Sequence, residues 1–470
     1  MDRSTQAKEG KKKITEVKIF PVPFALGENQ GNLTITTNTP SKPSEKQIIN
    51  QAFKFHSQGN IPAAIKYYQC FINQGFKDYR VFSNYGLILK NLGQLKEAEK
   101  CQRKAIELNP DFATAYSNLG NILRELGSLR DAEVSTRKAI ELNPDFTEAH
   151  SNLGIVLRDL GKLQEAEVST RKAIELNPNY AMAHSYLGII LKDLGKLQEA
   201  ELSNRKAIEI KPDYADAAWN LYGLSNSIEN AEKIINQCLK MDENHLQAKL
   251  TLSALRLHQG DQSLFDQLMK SNHKDHPFMR SFKWVSTLPK LPKLFFHRWA
   301  LFDDMINKSK KERPLYEFGV WRGISFKYLI DTFKKGFGFD TFEGLPEDWH
   351  QEKQGKYSAD GIIPQVDGAK FIAGKFEDTL PRFFSKSRPL ASIINFDADL
   401  YTSTLCALNY SKPVIDEDTI LIFDEFIINK NWEQDEYKAL NEFCCSNNLS
   451  YEVLALSYMS KQVAVKILGL

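Results

Sequence analysis

Residues that could do chemistry are concentrated in the last third of this chain, where acidic side chains follow short apolar runs. Gly319 and Gly323 interrupt the segment Glu317-Phe-Gly-Val-Trp-Arg-Gly-Ile-Ser325, and a helical pattern runs from Ile324 to Phe333. Glycine lets a ligand approach the backbone, and the first turn of a helix offers free N–H groups. We therefore predict a strand, a tight turn and a helix that together bind a ligand.

The next acidic residue, Asp340, ends the apolar run that begins at Gly336. An acidic side chain at this distance from a glycine turn accepts hydrogen bonds from ribose hydroxyls in dinucleotide folds. The third glycine of the G-x-G-x-x-G fingerprint, which a pyrophosphate requires, has no counterpart after Gly323. The pattern therefore favours a nucleoside ligand without a pyrophosphate and disfavours a nicotinamide-dependent dehydrogenase.

Two more strand-like runs, Ala391 to Phe396 and Thr419 to Phe423, are followed by acidic pairs, which are Asp397 with Asp399 and Asp424 with Glu425. Ligands of open α/β sheets bind outside such strand ends. Converging carboxylates repel one another and raise their pKa values unless a cation lies among them. A hard divalent ion such as Mg²⁺ would relieve that repulsion. We also expect Asp397 and Asp399 to share one face of an extended segment.

Four motifs occur here in order, namely E-F-G-V-W-R-G-x-S from Glu317, F-D-T-F-E-G-L-P from Phe339, F-D-A-D-L-Y-T-S-T from Phe396 and F-D-E from Phe423. Through them, residues 295–470 resemble the macrocin O-methyltransferase-like family of class I S-adenosylmethionine (SAM) methyltransferases. The resemblance implies an α/β Rossmann-like methyltransferase domain. Because members of this family act largely on sugar hydroxyls of glycosides, it also implies a sugar or glycoconjugate acceptor.

The same resemblance implies roles for individual residues. The methionine end of SAM would be surrounded by Glu317, Gly319, Gly323 and Ser325, and its ribose would be held by Asp340. A magnesium ion would be held by Asp397, Asp424 and Glu425, although the family usually has a second aspartate where Glu425 stands, which leaves open whether Glu425 binds the ion. Asp399 would be the base that takes the acceptor proton. An aspartate of ordinary pKa, about 3.9, is a poor base for an alcohol unless a metal acidifies that alcohol.

The middle of the chain, from residue 44 to 258, repeats with a period of 34 residues. Three residue types recur at this spacing. The prolines are Pro110, Pro144, Pro178 and Pro212; the glycines are Gly86, Gly120, Gly154 and Gly188; and the alanines are Ala98, Ala132, Ala166 and Ala200. This is the tetratricopeptide period, and the unit from Ala149 to Pro178 resembles that repeat closely. We predict an all-α, right-handed solenoid that ends in an irregular cap over residues 212–258.

One position of the first helix reads Asn84, Asn118, Asn152, Tyr186 and Asn220. A row of asparagines on the inner surface of a solenoid can hydrogen-bond the backbone of an extended peptide. The row resembles the asparagine ladder in the repeats of O-linked N-acetylglucosamine transferase, which implies a protein or extended peptide as partner. The alternative is that the asparagines serve packing and solubility within recently duplicated repeats.

Two segments flank the repeats. Residues 1–43 are rich in Lys, Thr, Asn, Pro and Gly, which favours a disordered or loosely docked arm. Residues 259–294 contain Pro277, Pro289 and Pro292, and we interpret them as a linker to the methyltransferase domain.

Composition excludes several classes of protein. The formal charge of +2, from 61 basic and 59 acidic residues, argues against nucleic acid as the main partner. The sequence has no signal peptide and no run of apolar residues long enough to span a membrane, so we expect a cytoplasmic protein that does not cross a membrane. Two functions stay open, a SAM-dependent O-methyltransferase and a non-catalytic repeat scaffold that carries a methyltransferase-like relic.

Overall fold

The 34-residue period folds as a series of paired helices in the computed structural model, which describes residues 43–350 and 352–470. The helices of this array are α1 Glu45–Ser57, α2 Ile61–Asn73, α3 Tyr79–Asn91, α4 Leu95–Leu108, α5 Ala113–Glu125, α6 Leu129–Leu142, α7 Thr147–Asp159, α8 Leu163–Leu176, α9 Ala181–Asp193, α10 Leu197–Ile210, α11 Ala215–Tyr222, α12 Ile228–Met241 and α13 Leu246–His258. Residues 1–42 of the predicted arm lie outside the described residues.

Small residues let the two helices of each pair approach closely. A Cβ atom on Gly154 of α7 would lie 2.0 Å from Oγ1 of Thr170 on α8, and one on Gly120 would lie 2.1 Å from Oγ1 of Thr136. No side chain fits at such distances, so packing alone accounts for the repeated glycine. The seam beside it is apolar. It contains Leu153 and Leu157 of α7, Ala166 of α8 and Ile190 of α9, which belongs to the next pair.

The segment interpreted as a linker, residues 259–294, is folded and packed. It contains α14 Ser263–Met269, α15 Pro277–Ser286 and the start of β1 Lys293–Phe295. Phe265 and Phe282 are buried in one core with Leu250 of α13 and residues of the sheet. The structure therefore corrects the linker prediction. Pro277 begins α15 in its first turn, where the missing N–H has no partner to lose, and so it does not interrupt a helix.

An eight-stranded sheet follows, with the strand order β1-β7-β8-β6-β5-β2-β3-β4. Its remaining strands are β2 Leu315–Phe318, β3 Gly336–Asp340, β4 Ala369–Ala373, β5 Ile393–Phe396, β6 Ile420–Phe423, β7 Ser450–Ser457 and β8 Val463–Leu468. The helices between them are α16 Arg298–Lys308, α17 Ile324–Phe333, α18 Phe376–Phe384, α19 Tyr401–Ser411 and α20 Glu436–Ser446. β8 runs antiparallel to β6 and β7, and the other pairings are parallel.

The position of the site follows from this topology. From β2 the chain crosses to β3 and β4 on one side, while β5 and β6 lie on the other side of β2. β2, β5 and β6 are buried along their whole length, which is why they are almost entirely apolar. In an open α/β sheet, such a reversal of strand order opens a crevice at the carboxyl ends of the adjoining strands. The crevice here lies after β2 and β5.

Turns within three successive helix pairs contact the sheet domain. Lys356 Nζ donates a hydrogen bond to the carbonyl oxygen of Gly127 at 3.2 Å. At the equivalent turn 34 residues on, Arg322 Nε donates to the carbonyl oxygen of Leu160 at 2.7 Å, next to Gly161. One repeat further, Trp299 Nε1 donates to the carbonyl oxygen of Lys192 at 2.7 Å. The repeat period therefore sets the spacing of the contacts that join the array to the sheet.

We expect Gly161→Ala to destabilise the fold more than Gly93→Ala. Both glycines have left-handed backbones, with φ of +70° and +75°, so each new Cβ costs about 1–2 kcal/mol from backbone strain alone. A Cβ on Gly93 would meet no atom of the described residues within 4 Å, whereas a Cβ on Gly161 would lie 2.5 Å from the Trp321 ring. Thermal unfolding of the two variants measures the difference, and equal melting temperatures would contradict the close docking of Trp321.

Candidate active site

The glycine turn after β2 is shaped by a close approach of two backbones. Gly319 has φ +87°, and a Cβ on it would lie 1.9 Å from the carbonyl oxygen of Asp397, just after β5. Glycine is thus required here by the neighbouring strand as well as by any ligand. Gly323, with φ +73°, precedes α17 and would place a Cβ 3.0 Å from Pro364.

Asp340, at the end of β3, organises this turn. Its Oδ2 accepts hydrogen bonds from the N–H groups of Val320 and Trp321, each at 2.7 Å, and its Oδ1 accepts one from the N–H of Phe342 at 2.6 Å. The carboxylate therefore holds the turn after β2 against the turn after β3. The two N–H groups on Oδ2 use both of its lone pairs, whereas Oδ1 accepts one N–H and keeps one lone pair, so Asp340 has one acceptor site left.

Asp397 and Asp399 both line the crevice, but the segment that carries them is not extended. β5 ends at Phe396, and Asp399 has φ +58°, in the left-handed region. This corrects the prediction of a shared face on an extended segment. A non-glycine residue in this region stores about 1–3 kcal/mol of strain, and such residues concentrate at functional sites.

The acidic pair after β6 already has cations beside it. Arg298, the first residue of α16, places its guanidinium 3.2 Å from Oδ2 of Asp424. Gln462 donates from Nε2 to Oδ1 of the same carboxylate at 2.5 Å. Lys461 Nζ lies 3.0 Å from Glu425. Part of the positive charge that the carboxylates require therefore comes from the chain itself.

Burial and mutual repulsion raise the pKa values of the aspartates in the crevice. Burial raises the pKa of Asp397 well above its usual range, and the charge of Asp424 raises it further. Burial likewise raises the pKa of Asp399, with Glu425 as the next contribution. The pKa of Asp424 is also raised by burial, against the opposing effect of Arg298. Acidic groups thus outweigh the cations in this crevice.

A cavity of about 260 Å³ opens at these strand ends. Six of the nine predicted site residues of the sheet domain line it, namely Gly319, Asp340, Asp397, Asp399, Asp424 and Glu425. The other three, Glu317, Gly323 and Ser325, do not line it. Glu317 is buried within β2, with a raised pKa from burial and with no described residue that hydrogen-bonds its Oε2. Ser325 Oγ accepts a hydrogen bond from Arg298 at 3.4 Å.

Several lining residues were not predicted from the sequence. They come from three separate regions, namely Arg298 on α16, Trp349 and Tyr357 between β3 and β4, and Lys375, Phe376 and Glu377 after β4. The sequence could have predicted the last group. The apolar run before Gly374 is followed by a glycine and then by helix α18, which is the same strand, turn and helix pattern as after β2.

The predicted magnesium ligands do not form a ready metal site. Across the described ranges, no three His, Cys, Asp or Glu side chains are grouped so that they could hold a metal ion. Asp424 and Glu425 face Arg298 and Lys461 instead. The requirement for Mg²⁺ stays a prediction.

The asparagines of the repeats bond to the preceding repeat. Asn152 Nδ2 donates to Ser117 Oγ at 3.0 Å, and Asn220 Nδ2 donates to Ser185 Oγ at 3.0 Å. Asn118 makes the same contact with Ser83 at 3.4 Å, and Asn84 occupies the equivalent position. These bonds use the amide N–H₂ groups and are what a packing role requires. Binding of a peptide by these asparagines stays a prediction.

Comparison with known proteins agrees with the helical array. Residues 113–146 and 147–180 match the tetratricopeptide repeat family, as do residues 170–201, and residues 86–127 match a TPR repeat. The chain contains tetratricopeptide repeats. Similar solved structures are a tetratricopeptide repeat protein from Parabacteroides merdae (20% identity, 49% of this chain and 94% of that chain, TM-score 0.40) and a thermophilic TPR protein of Thermus thermophilus (20%, 38% and 98%, TM-score 0.35). A third is YrrB, a TPR protein with an unusual peptide-binding site. It has 26% identity with this chain, the match covers 41% of this chain and 97% of YrrB, and the TM-score is 0.30.

The C-terminal part is similar to a curated enzyme of Streptomyces olivaceus. This is 8-demethyl-8-(2,3-dimethoxy-alpha-L-rhamnosyl)-tetracenomycin-C 4'-O-methyltransferase, with 28% identity over 144 aligned positions, 24% of this chain and 53% of the relative. The chain therefore spans about half the length of the curated relative that it matches. Among the helices of the described ranges, none combines the length and the apolar character needed to cross a membrane.

Replacing Arg298 tests the charge balance of the crevice. Arg298→Met leaves the Asp424 carboxylate, whose side chain is 7% exposed, without its cation, and we expect a loss of about 3 kcal/mol in the free energy of unfolding. Asp424→Asn in the same chain should restore most of that loss, because it removes the orphaned charge. Lys308→Met on the same helix removes an exposed lysine from Asp304, which keeps its pair with Lys293 at 2.6 Å, and should cost less than about 1 kcal/mol.

Chemical denaturation of the two single variants and the double variant measures the coupling. Additive effects of Arg298→Met and Asp424→Asn would contradict a stabilising contact between them.

Proposed function

We propose that this protein is a SAM-dependent O-methyltransferase. The observation that carries the proposal is the crevice after β2 and β5, where Gly319 and Asp340 lie on one side and Asp399 on the other, all lining one cavity. The similarity of the C-terminal part to an O-methyltransferase supports the same reaction class. SAM, when bound, supplies an electrophilic methyl group on a sulfonium centre.

The turn after β2 is suited to a nucleoside. Asp340 fixes the N–H groups of Val320 and Trp321 through Oδ2 and still offers one lone pair on Oδ1 for a ribose hydroxyl. Phe376 and Glu377 extend the same wall after β4. The buried Glu317, whose Oε2 has no hydrogen-bond partner among the described residues, would be satisfied by a positively charged amino group.

Asp399 is the residue that we assign to proton transfer. In the proposed step the acceptor O–H gives its proton to the Asp399 carboxylate as the oxygen forms its bond to the methyl carbon, and the sulfonium leaves as a neutral thioether. The left-handed backbone of Asp399 would fix the direction of the carboxylate within the cavity that it lines. A sugar hydroxyl is the proposed acceptor, because the named relative methylates the 4'-oxygen of a rhamnosyl group.

Mg²⁺ is part of the proposal, with Asp397 and Asp424 as its ligands and Glu425 as a third. The chemistry of the donor set suits it, because carboxylate oxygens are what a hard divalent ion prefers. Arg298 and Lys461 already neutralise part of this set, so the proton transfer above is written through Asp399 alone. The ion would lower the charge of the crevice and the pKa of a bound hydroxyl.

The repeats are proposed to bind a protein or an extended peptide along the first helices of successive pairs. An aromatic recess there, between α9 and α11, is lined by Tyr186, Tyr214 and Trp219. Aromatic side chains of this kind provide large contact areas at interfaces.

Two variants separate cofactor binding from catalysis. Asp340→Asn should weaken SAM binding by about 10- to 100-fold, as expected when hydrogen bonds to a charged group are lost. Asp399→Asn should bind SAM like the wild type but transfer about 10²- to 10⁴-fold less labelled methyl group to acceptors in a lysate. Calorimetry and label transfer measure the two effects, and Asp331→Asn, an exposed carboxylate on α17, is the control. A wild type that binds NAD and not SAM would refute the proposal.

Removal of divalent ions tests the metal. EDTA should abolish methyl transfer and leave SAM affinity nearly unchanged, and added Mg²⁺ should restore the transfer. Asp397→Ala should behave like the chelated wild type. Full transfer in EDTA would show that Arg298 and Lys461 meet the charge requirement without a metal.

A further inference from the structure

A second cavity, of about 470 Å³, lies between the repeats and the sheet domain. It adjoins the candidate active site, because four residues line both cavities, namely Arg298, Trp321, Tyr357 and Glu425. Its other wall consists of repeat residues, among them Arg158 and Lys192. A ligand that reaches Asp399 from this side therefore contacts the repeats.

Ion pairs connect successive repeats up to this cavity. The basic residue at the end of each first helix pairs with an acidic residue 35 positions later, in Lys90–Glu125 at 2.8 Å, Arg124–Asp159 at 3.1 Å and Arg158–Asp193 at 2.7 Å. Each repeat thus neutralises the last basic residue in the first helix of the repeat before it.

This series of pairs ends at Lys192. The residue 35 positions later is Ser227, whose hydroxyl accepts the N–H of Asn230 at 3.1 Å and caps α12. Within residues 43–350 and 352–470, Lys192 forms no ion pair, whereas Arg298 and Lys461 on the opposite wall have theirs. Its backbone carbonyl is held by Trp299 Nε1. Among the residues that the structure describes, the wall of the cavity therefore presents one ammonium group without a counterion.

The surroundings of Lys192 explain why an anion would bind there. Burial lowers the pKa of Lys192, Asp193 opposes that shift, and the neighbouring charges of Arg158 and Arg298 add to it. Asp193 is already paired with Arg158 at 2.7 Å. An oxyanion beside the Lys192 ammonium would replace the counterion that the next repeat fails to provide.

We propose that the methyl acceptor extends from Asp399 past Trp321 and Tyr357 into this cavity and carries an oxyanion that Lys192 binds. The inference rests on the proposed function and narrows its acceptor to an anionic sugar, with either a phosphate or a carboxylate. The repeats then form one wall of the acceptor site and contribute Lys192 to substrate choice.

Binding of three small sugars to the full chain tests this. Glucose 1-phosphate and glucuronic acid carry the oxyanion, and methyl glucoside lacks it. We expect the wild type to bind at least one of the charged sugars and to bind it more tightly than methyl glucoside. Lys192→Met should weaken that binding by about tenfold or more, as loss of a charged hydrogen bond does. Lys90→Met, in the same register at the far end of the series and outside the cavity, should leave it unchanged.

Thermal unfolding distinguishes a binding role from a structural one. Because Lys192 is a half-buried charge without a counterion, Lys192→Met should keep or raise the melting temperature of the wild type. A marked fall would assign Lys192 to packing between the repeats and the sheet and would overturn the inference.

The remaining outcomes separate the inference from the proposed function, because SAM affinity is measured on the same samples. Equal binding of charged and neutral sugars, or equal affinity of wild type and Lys192→Met, overturns the anion site even where SAM binds. Binding of a charged sugar that depends on Lys192, without binding of SAM, supports the anion site and refutes the methyltransferase. Preference for glucose 1-phosphate or for glucuronic acid identifies the oxyanion as phosphate or carboxylate.

Discussion

Repulsion among four carboxylates is the main physical constraint on the C-terminal part of this molecule. Asp397, Asp399, Asp424 and Glu425 meet at one edge of the sheet because parallel strands end there together. Their mutual repulsion is limited by cations that come from distant parts of the chain. Arg298 precedes the first central strand, and Lys461 follows the last helix. The turn between β7 and β8, and the start of α16, are thus placed by charge as well as by packing.

The same requirement links the sheet to the repeats. Arg298 lines both the candidate active site and the cavity against the repeats, so its guanidinium faces Asp424 on one side and Lys192 on the other. The helices α14 and α15 join α13 to the sheet through one continuous apolar core. Repeats and sheet are therefore packed against each other through this core.

Local patterns predicted much of this fold, and contacts distant in sequence account for what they missed. Helix α17 has the predicted limits of Ile324 and Phe333, and β5 and β6 end where the apolar runs end, because periodicity and strand ends are local properties. The position of Arg298 against Asp424 depends on packing between elements more than a hundred residues apart. The left-handed backbone of Asp399 and the contact of Gly319 with the Asp397 carbonyl are likewise tertiary. In the sequence alone, the prolines of residues 259–294 indicate an interruption of the helices. In the structure, Pro277 is the first residue of α15.

The spacing of the docked turns has a consequence for how this architecture can change in length. Among the glycine turns of the described helix pairs, those around Gly127, Gly161 and Gly195 contact the sheet domain, while a Cβ on Gly59 or Gly93 would meet nothing within 4 Å. A repeat gained or lost before α5 would leave every contact with the crevice in place and would only extend or shorten the free end. A repeat inserted after α10 would separate these three turns from the residues that they meet. Natural variation in repeat number should therefore accumulate on the N-terminal side, where the array can be lengthened without rebuilding the site.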